Sequence, residues 1–185
     1  MEAADKIVLP GVGAFGKAVR SLESKSLLGP LAEAAADGRP FLGICLGMQL
    51  LYEESEEDLD PRPRRHPGKV VRFAPGRKIP HLGWNTVSWR DASPLRAGVP
   101  DGSFFYFAHS FYGAPEDAGR VSGETEYGVP FASAVRRGRL FGIQFHSGKI
   151  AGVGPRASCL ISRACRMGNG GSYPPSTCWA EGSSA

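Results

Sequence analysis

The sequence predicts an α/β fold, and three stretches predict it. Lys6-Ile7-Val8-Leu9 is a short β-branched run that passes through the glycine-rich turn 10–15 into the helical spacing Ala18, Val19, Leu22, the opening of a βα unit. Phe41 and Leu42 read as the end of a buried strand and Met48, Leu50 and Leu51 as the start of an apolar helical run, so Gly43-Ile44-Cys45-Leu46-Gly47 falls on a strand-to-helix turn. Cys45, His109 and His146 all stand at predicted strand ends, where ligands of α/β sheets gather.

The turn around Cys45 carries the chemistry. Gly-x-Cys-x-Gly places a nucleophile at the centre of a sharp strand-to-helix turn, where flanking Cβ atoms would collide with neighbouring elements. A thiol at a helix N-terminus is expected to favour the thiolate, and the next N–H, from Leu46, is placed to donate to a developing oxyanion. Gly11, Gly13 and Gly16 fit a G-x-G-x-x-G string, but no acidic residue follows a second strand at the distance a dinucleotide site needs. That loop is read instead as bare backbone approaching a small ligand or an oxyanion.

The remaining elements follow in order. Residues 27–36 are Ala/Leu-rich and helical, closed by Asp37-Gly38. The acidic run 53–60 reads as a solvated helix end, and the Pro/Arg-rich 61–67, with His66, as a loop. Residues 68–73 and 78–81 look like strand pieces, and 86–89 like a further strand. Residues 103–108 form an aromatic strand ending at His109-Ser110, and 121–126, 131–135 and 140–145 a β-meander ending at His146. A cysteine nucleophile needs a base close in space, and His146, directly after a core strand, is the stronger candidate; His81 and His109 are binding or structural residues.

Composition excludes several classes. The 185 residues, 42% hydrophobic, suit one domain with a real core. No apolar run approaches the roughly 18–20 residues that span a bilayer, and the N-terminus lacks a signal-peptide pattern, so a cytoplasmic location is expected, with no membrane partner. Residues 1–126 hold 15 Lys/Arg against 17 Asp/Glu and residues 127–185 hold 7 against 1, so the net charge of +4 belongs to the tail end. With no basic stripe interleaved with aromatics, no nucleic-acid partner is expected. Cys159, Cys165 and Cys178 have no C-x-x-C spacing and no nearby histidine, which indicates neither a zinc site nor a disulfide framework. No metal and no cofactor are expected.

Taken together these residues resemble the class I, triad-type glutamine amidotransferases, and within them the glutaminase subunit of imidazole glycerol phosphate synthase. The resemblance rests on six strings in order, Leu-Pro-Gly-Val-Gly-Ala-Phe-Gly at 9–16, Gly-Ile-Cys-Leu-Gly-Met-Gln-Leu-Leu at 43–51, Pro-Gly-Lys-Val-Val-Arg-Phe at 67–73, Lys-Ile-Pro-His-Leu-Gly-Trp-Asn at 78–85, Phe-Tyr-Phe-Ala-His-Ser-Phe-Tyr at 105–112 and Phe-Gly-Ile-Gln-Phe-His at 141–146. It implies a three-layer αβα sandwich with a mostly parallel central sheet, over residues 1–146. It also implies Cys45 as the nucleophile toward the glutamine side-chain amide and His146 as general acid and base. Gly11, Val12 and Gly13 with the Leu46 N–H then form the oxyanion hole, Gln49 and Ser110 seat the glutamine, and Tyr106 and Lys149 face a partner, a (β/α)₈ cyclase that receives the ammonia.

Two departures accompany the resemblance. The family begins with a further strand and helix that precede the first strand here. It also places a carboxylate in His-Pro-Glu-Lys-Ser where this chain has His146-Ser147-Gly148-Lys149-Ile150, so a glycine stands where the histidine's orienting acid belongs. From Ser147 the amphipathic pattern stops, and 147–185 is expected to be a poorly ordered tail outside the family pattern, read as out of frame.

Overall fold

In the computed structural model, which describes residues 4–57, 66–97 and 99–150, the chain is built on two parallel neighbours. Strand β1 (Ile7–Gly11) pairs with β2 (Phe41–Cys45) in register from Ile7 opposite Phe41 to Gly11 opposite Cys45. Helices α1 (Phe15–Ser24) and α2 (Leu28–Ala36) make the crossover between them, as a parallel pair requires. The first amide of α1 has no capping side chain from Ala14; the Glu57 carboxylate accepts from Phe15 N at 2.9 Å instead. The predicted stop after α2 is present, with Gly38 at φ +82°.

After β2 the structure departs from the sequence expectation. The apolar run does not become a long helix: α3 (Leu46–Gln49) is a single turn, and the acidic stretch read as a helix end begins as strand β3 (Tyr52–Ser55). Tertiary pairing overrides local propensity here, since β3 runs parallel to β4 (His66–Arg72) and wholly buries Tyr52. Residues 58–65, the end of the acidic run and most of the expected Pro/Arg loop, lie outside the described residues, while His66 and Pro67, expected in that loop, open β4.

Of the pieces read at 78–81 and 86–89, His81 and residues 86–89 belong to one strand, β5 (His81–Trp89), while residues 78–80 precede it, with a bend at 79–80. β5 pairs with β6 (Ser103–His109) from His81 opposite His109 to Val87 opposite Ser103, and this ladder keeps Gly83, at φ +138°, within the strand. β7 (Phe111–Pro115) joins β4 antiparallel, and β8 (Val121–Glu126), β9 (Pro130–Arg137) and β10 (Leu140–Ile143) form the predicted meander. β10 ends at Ile143 rather than Phe145. The chain bends at Gln144, whose N–H donates to Ser133 O at 2.9 Å, and His146 opens β11 (His146–Ile150) opposite Tyr106 instead of closing β10. The expected tail lies outside the described residues beyond 150, and side chains 147–150, Lys149 among them, are not described.

The main sheet has eight strands in the order β1-β2-β10-β9-β8-β5-β6-β11, and β3-β4-β7 form a second, smaller sheet. The α/β class holds, but only the β1/β2 and β2/β10 pairings of the main sheet are parallel; the other five are antiparallel. The reason is connectivity. The strands from β8 to β10 follow one another through tight turns, and a tight turn closes only an antiparallel pair.

Pleating divides the core. The cross-strand neighbours Ile7, Phe41 and Leu140 pack with Leu31, Ala34 and Ala35 of α2 on one face. Val8, Leu42 and Phe141, one residue on, pack on the other face with Val87, Trp89, Phe105 and Phe107 from β5 and β6. All five residues of β2 are buried, as befits a strand covered on both faces.

The turn after β2 is sealed by two glycines. A Cβ on Gly43 would lie 2.6 Å from Gly47 O, and one on Gly47 would run into the carbonyl of Leu9. Gly47→Ala is therefore expected to cost about 3 kcal/mol or more of stability, since the obstacle is backbone in a packed strand. Chemical denaturation followed by circular dichroism checks this, with Gly138→Ala as the comparison for a strained glycine (φ +60°) that has open space around it.

Candidate active site

Cys45 occupies the corner between β2 and α3 with φ 54° and ψ −112°, a conformation that side chains rarely adopt and that costs on the order of 1–3 kcal/mol. Three contacts hold it: the parallel ladder to β1, the Gly43/Gly47 approach, and the closing bond from Leu50 N to Leu46 O at 2.9 Å. Cys45 is only 6% exposed.

The resting state of this thiol differs from the sequence expectation. Burial pushes its pKa up, while the Leu46 N–H and then the Gln144 side chain, with Nε2 3.7 Å from Sγ, pull it down; burial prevails. A one-turn helix has little dipole to add.

The glycine loop lies beside it. Gly11 is opposite Cys45 in the ladder, and its Cα hydrogens face Leu46, where a Cβ would stand 3.0 Å from Leu46 Cβ. Val12 is 80% exposed and Gly13 has φ +97°, so the turn presents its backbone outward. Gly11 is thus brought beside Cys45 and Leu46, and Val12 and Gly13 follow it in the chain.

A polar line runs inward from the sulfur. Gln144, wholly buried, accepts through Oε1 from Gln49 Nε2 at 3.0 Å, and Gln49 Nε2 also donates to Phe111 O at 2.8 Å. The same carbonyl receives His109 Nδ1 at 2.8 Å. A carbonyl only accepts, so His109 carries its proton on Nδ1 and offers Nε2 to His81 Nδ1, 3.3 Å away. His81 Nε2 then accepts from Asn85 Nδ2 at 3.3 Å, which donates to Glu126 O as well.

Both histidines are held neutral. Burial lowers the pKa of His81 to about 4; its ring is stacked between Tyr127 at 3.9 Å and Phe107 at 4.9 Å. Burial lowers that of His109 to about 3, with the charges of His81 and His146 adding to the effect against the bond to Phe111 O. His146 therefore sits within electrostatic reach of His109, half-buried, its ring 6.5 Å from that of Tyr106. Ser110 lies between β6 and β7, its carbonyl accepting from Phe73 N at 3.1 Å.

Sequence reading did not single out Gln144 or join His81 to His109. The signal for Gln144 was present: an amide inside the apolar run Leu-Phe-Gly-Ile-Gln-Phe needs a buried partner. Among the described residues no group of three or more His, Cys, Asp or Glu could hold a metal ion, and no helix is long and apolar enough to cross a membrane.

A strained cysteine at a strand-to-helix corner, with a glycine loop beside it on a mixed α/β sheet, is the nucleophile-elbow arrangement of α/β enzymes. The family model for glutamine amidotransferase class-I matches residues 1–155, and the chain belongs to that family. Among its relatives is imidazole glycerol phosphate synthase subunit HisH of Desulfitobacterium hafniense, 49% identical over 144 residues that make up 77% of this chain and 68% of that protein. HisH of Thermococcus kodakarensis is 48% identical over 155 residues, 80% of this chain and 77% of that one. Solved structures share the fold, including a glutamine amidotransferase with TM-score 0.64 at 18% identity (89% of this chain, 81% of that one) and the glutaminase domain of Trypanosoma brucei CTPS with TM-score 0.63 at 18% identity (90% and 73%).

The histidine pair predicts a pH response. Because the folded-state values lie below the ordinary 6.5, the unfolded chain binds protons that the folded chain refuses, so stability is complete above about pH 6.5 and falls as pH drops toward 4 and then 3. His109 alone contributes a slope of about 1.4 kcal/mol per pH unit in that window. Urea midpoints at pH 7 and pH 5 are expected to differ more for the natural chain than for His109→Asn.

Proposed function

We propose that this chain is the glutaminase subunit of imidazole glycerol phosphate synthase in histidine biosynthesis, hydrolysing glutamine through a Cys45 thioester and passing ammonia to a cyclase. The observation that carries the reading is the elbow itself, which holds Cys45 at φ 54° against the Gly11–Gly13 loop. Attack of the thiolate on the glutamine side-chain carbonyl generates a tetrahedral oxyanion. Backbone N–H groups of the Gly11–Gly13 loop and of Leu46 hold that oxygen, and His146 supplies the proton that leaves with ammonia and then activates water against the thioester. Gln49 spends both N–H groups within the protein, which leaves Oε1 to accept from a bound glutamine; Ser110 is the second seat.

The partner is read as a (β/α)₈ cyclase docked on the outer face of β5 and β6, giving a cytoplasmic heterodimer whose overall reaction is that of a lyase. Alternation places Leu82, Trp84 and Phe104 outward, 58%, 49% and 49% exposed, beside Tyr106, whose ring meets Trp84 at 5.7 Å. An apolar patch of this kind on a sheet face marks a protein contact. Lys149 is assigned to the same face by its place in the family string.

A second reading, a non-catalytic relative serving as a binding module, is favoured by one observation: Gly148 stands where the family places the acid behind the histidine. Glutaminase assay in the presence of the cyclase and its ligand separates the two, turnover supporting the enzyme and its absence the module.

Cys45→Ser is expected to lower glutamine hydrolysis by several orders of magnitude, because a hydroxyl beside the same histidine is a far weaker nucleophile. Trapping of a thioester by hydroxylamine in Cys45→Ala would contradict the assignment. Ser147→Pro with Gly148→Glu is expected to raise the rate, since a carboxylate behind an imidazole fixes its tautomer; in a serine triad its loss costs about 10⁴ in kcat. An unchanged rate in the double variant would remove position 148 from the mechanism.

A further inference from the structure

The direction of the amides around Cys45 is dictated by a backbone carbonyl. Phe111 O can only accept, so the end of Gln49 that faces it, 2.8 Å away, is the NH₂ group. The second proton of that group points to Gln144, so the end of Gln144 facing Gln49 at 3.0 Å is Oε1. Gln144 is left with one orientation, in which its own NH₂ group faces Cys45 Sγ at 3.7 Å. Rotating either amide by half a turn would set oxygen against oxygen, or NH₂ against NH₂, in a site where Gln49 is 5% and Gln144 0% exposed.

We propose that Gln144 is a donor to the nucleophile, giving an N–H to the Cys45 thiolate, and that Gln49 and Phe111 O act as a polarity lock that keeps the donor facing the sulfur. The proposal rests on the reading of Cys45 as the nucleophile and extends it to a residue not given a role in that reading. A buried thiolate without donors would carry the full desolvation cost of its charge. Leu46 N–H supplies one donor from the backbone, and Gln144 supplies the second from the opposite element, β10 and its following bend. Since β10 is parallel to β2 and ends at Ile143 opposite Ile44, the first residue past its end arrives beside Cys45. Gln144 N is itself tied to Ser133 O at 2.9 Å, so both ends of the residue are anchored. Gln49 thus serves two ends at once, its NH₂ group positioning the nucleophile's donor and its Oε1 turned to the substrate.

The test reads the thiol rather than turnover, so failure of glutamine hydrolysis leaves it intact. Alkylation of Cys45 by iodoacetamide is followed by peptide mass spectrometry from pH 6 to pH 11 in the full chain, in Gln144→Leu and in Gln144→Glu. Loss of the donor is expected to slow alkylation at pH 7 about tenfold in Gln144→Leu, and further in Gln144→Glu, whose carboxylate oxygen faces the sulfur. The three rates should converge at high pH, where every thiol is ionised. Gln49→Leu, which unlocks the amide, is expected to fall between the natural chain and Gln144→Leu. Equal rates throughout, or a deficit that is the same at every pH, would overturn the proposal, the latter because it marks a change of access rather than of charge. Should the variants fail to fold, the ¹⁵N resonance of the Gln144 side-chain amide in the unaltered chain decides. It should move as Cys45 ionises and stay still in Cys45→Ala, and a resonance indifferent to the thiol would equally overturn the proposal.

Discussion

One steric constraint organises the molecule: after Cys45 the chain turns so closely that the α3 backbone rests on the carbonyl of Leu9 in the neighbouring strand. Only glycine fits at position 47, and position 43 is closed from the other side by Gly47 O. The turn in turn depends on the parallel set β1-β2-β10. Register in that set, Gly11 opposite Cys45 and Ile44 opposite Ile143, delivers the glycine loop to one flank of the thiol and Gln144 to another. Residues far apart in sequence therefore meet because three short strands end at the same level, as active sites of α/β sheets do.

At the thiol, two opposing effects have a clear winner. Burial raises the pKa of Cys45 more than the Leu46 and Gln144 donors lower it, so the resting group is a thiol and not a preformed thiolate. In the proposed reaction the proton must then leave during attack, which gives the proposed base His146 a task that a resting thiolate would not require. The short helix behind Cys45 contributes donors through its first amides rather than through a dipole, since four residues sum to little.

Behind the site, an aromatic cluster fixes the histidines by exclusion of water. Phe73, Phe107, Tyr127 and Phe131 surround His81 and His109, and two backbone carbonyls at Phe111 and Glu126 dictate their tautomers. The same β5/β6 ladder that turns these groups inward turns Leu82, Trp84 and Phe104 outward, because successive side chains alternate. One antiparallel strand pair thus carries the buried histidines on one face and the proposed docking surface on the other.

The sequence alone determined what is local: the α/β class, the elbow at Cys45, helices α1 and α2, and the alternating strands β6, β8 and β9, because glycine placement and side-chain period act over a few residues. It missed the shortness of α3 and the strand at Tyr52, where pairing with β4 outweighs an apolar helical pattern. It divided β5 at Gly83-Trp84-Asn85, which the β6 ladder holds continuous, and took the sheet as mostly parallel where short connections impose antiparallel pairs. Gln144 showed only as a polar residue in an apolar run. That it faces the sulfur, with its N–H outward, was decided by the level at which β10 stops and by a carbonyl 33 residues earlier in the chain at Phe111, and no local pattern encodes the meeting of two such distant segments.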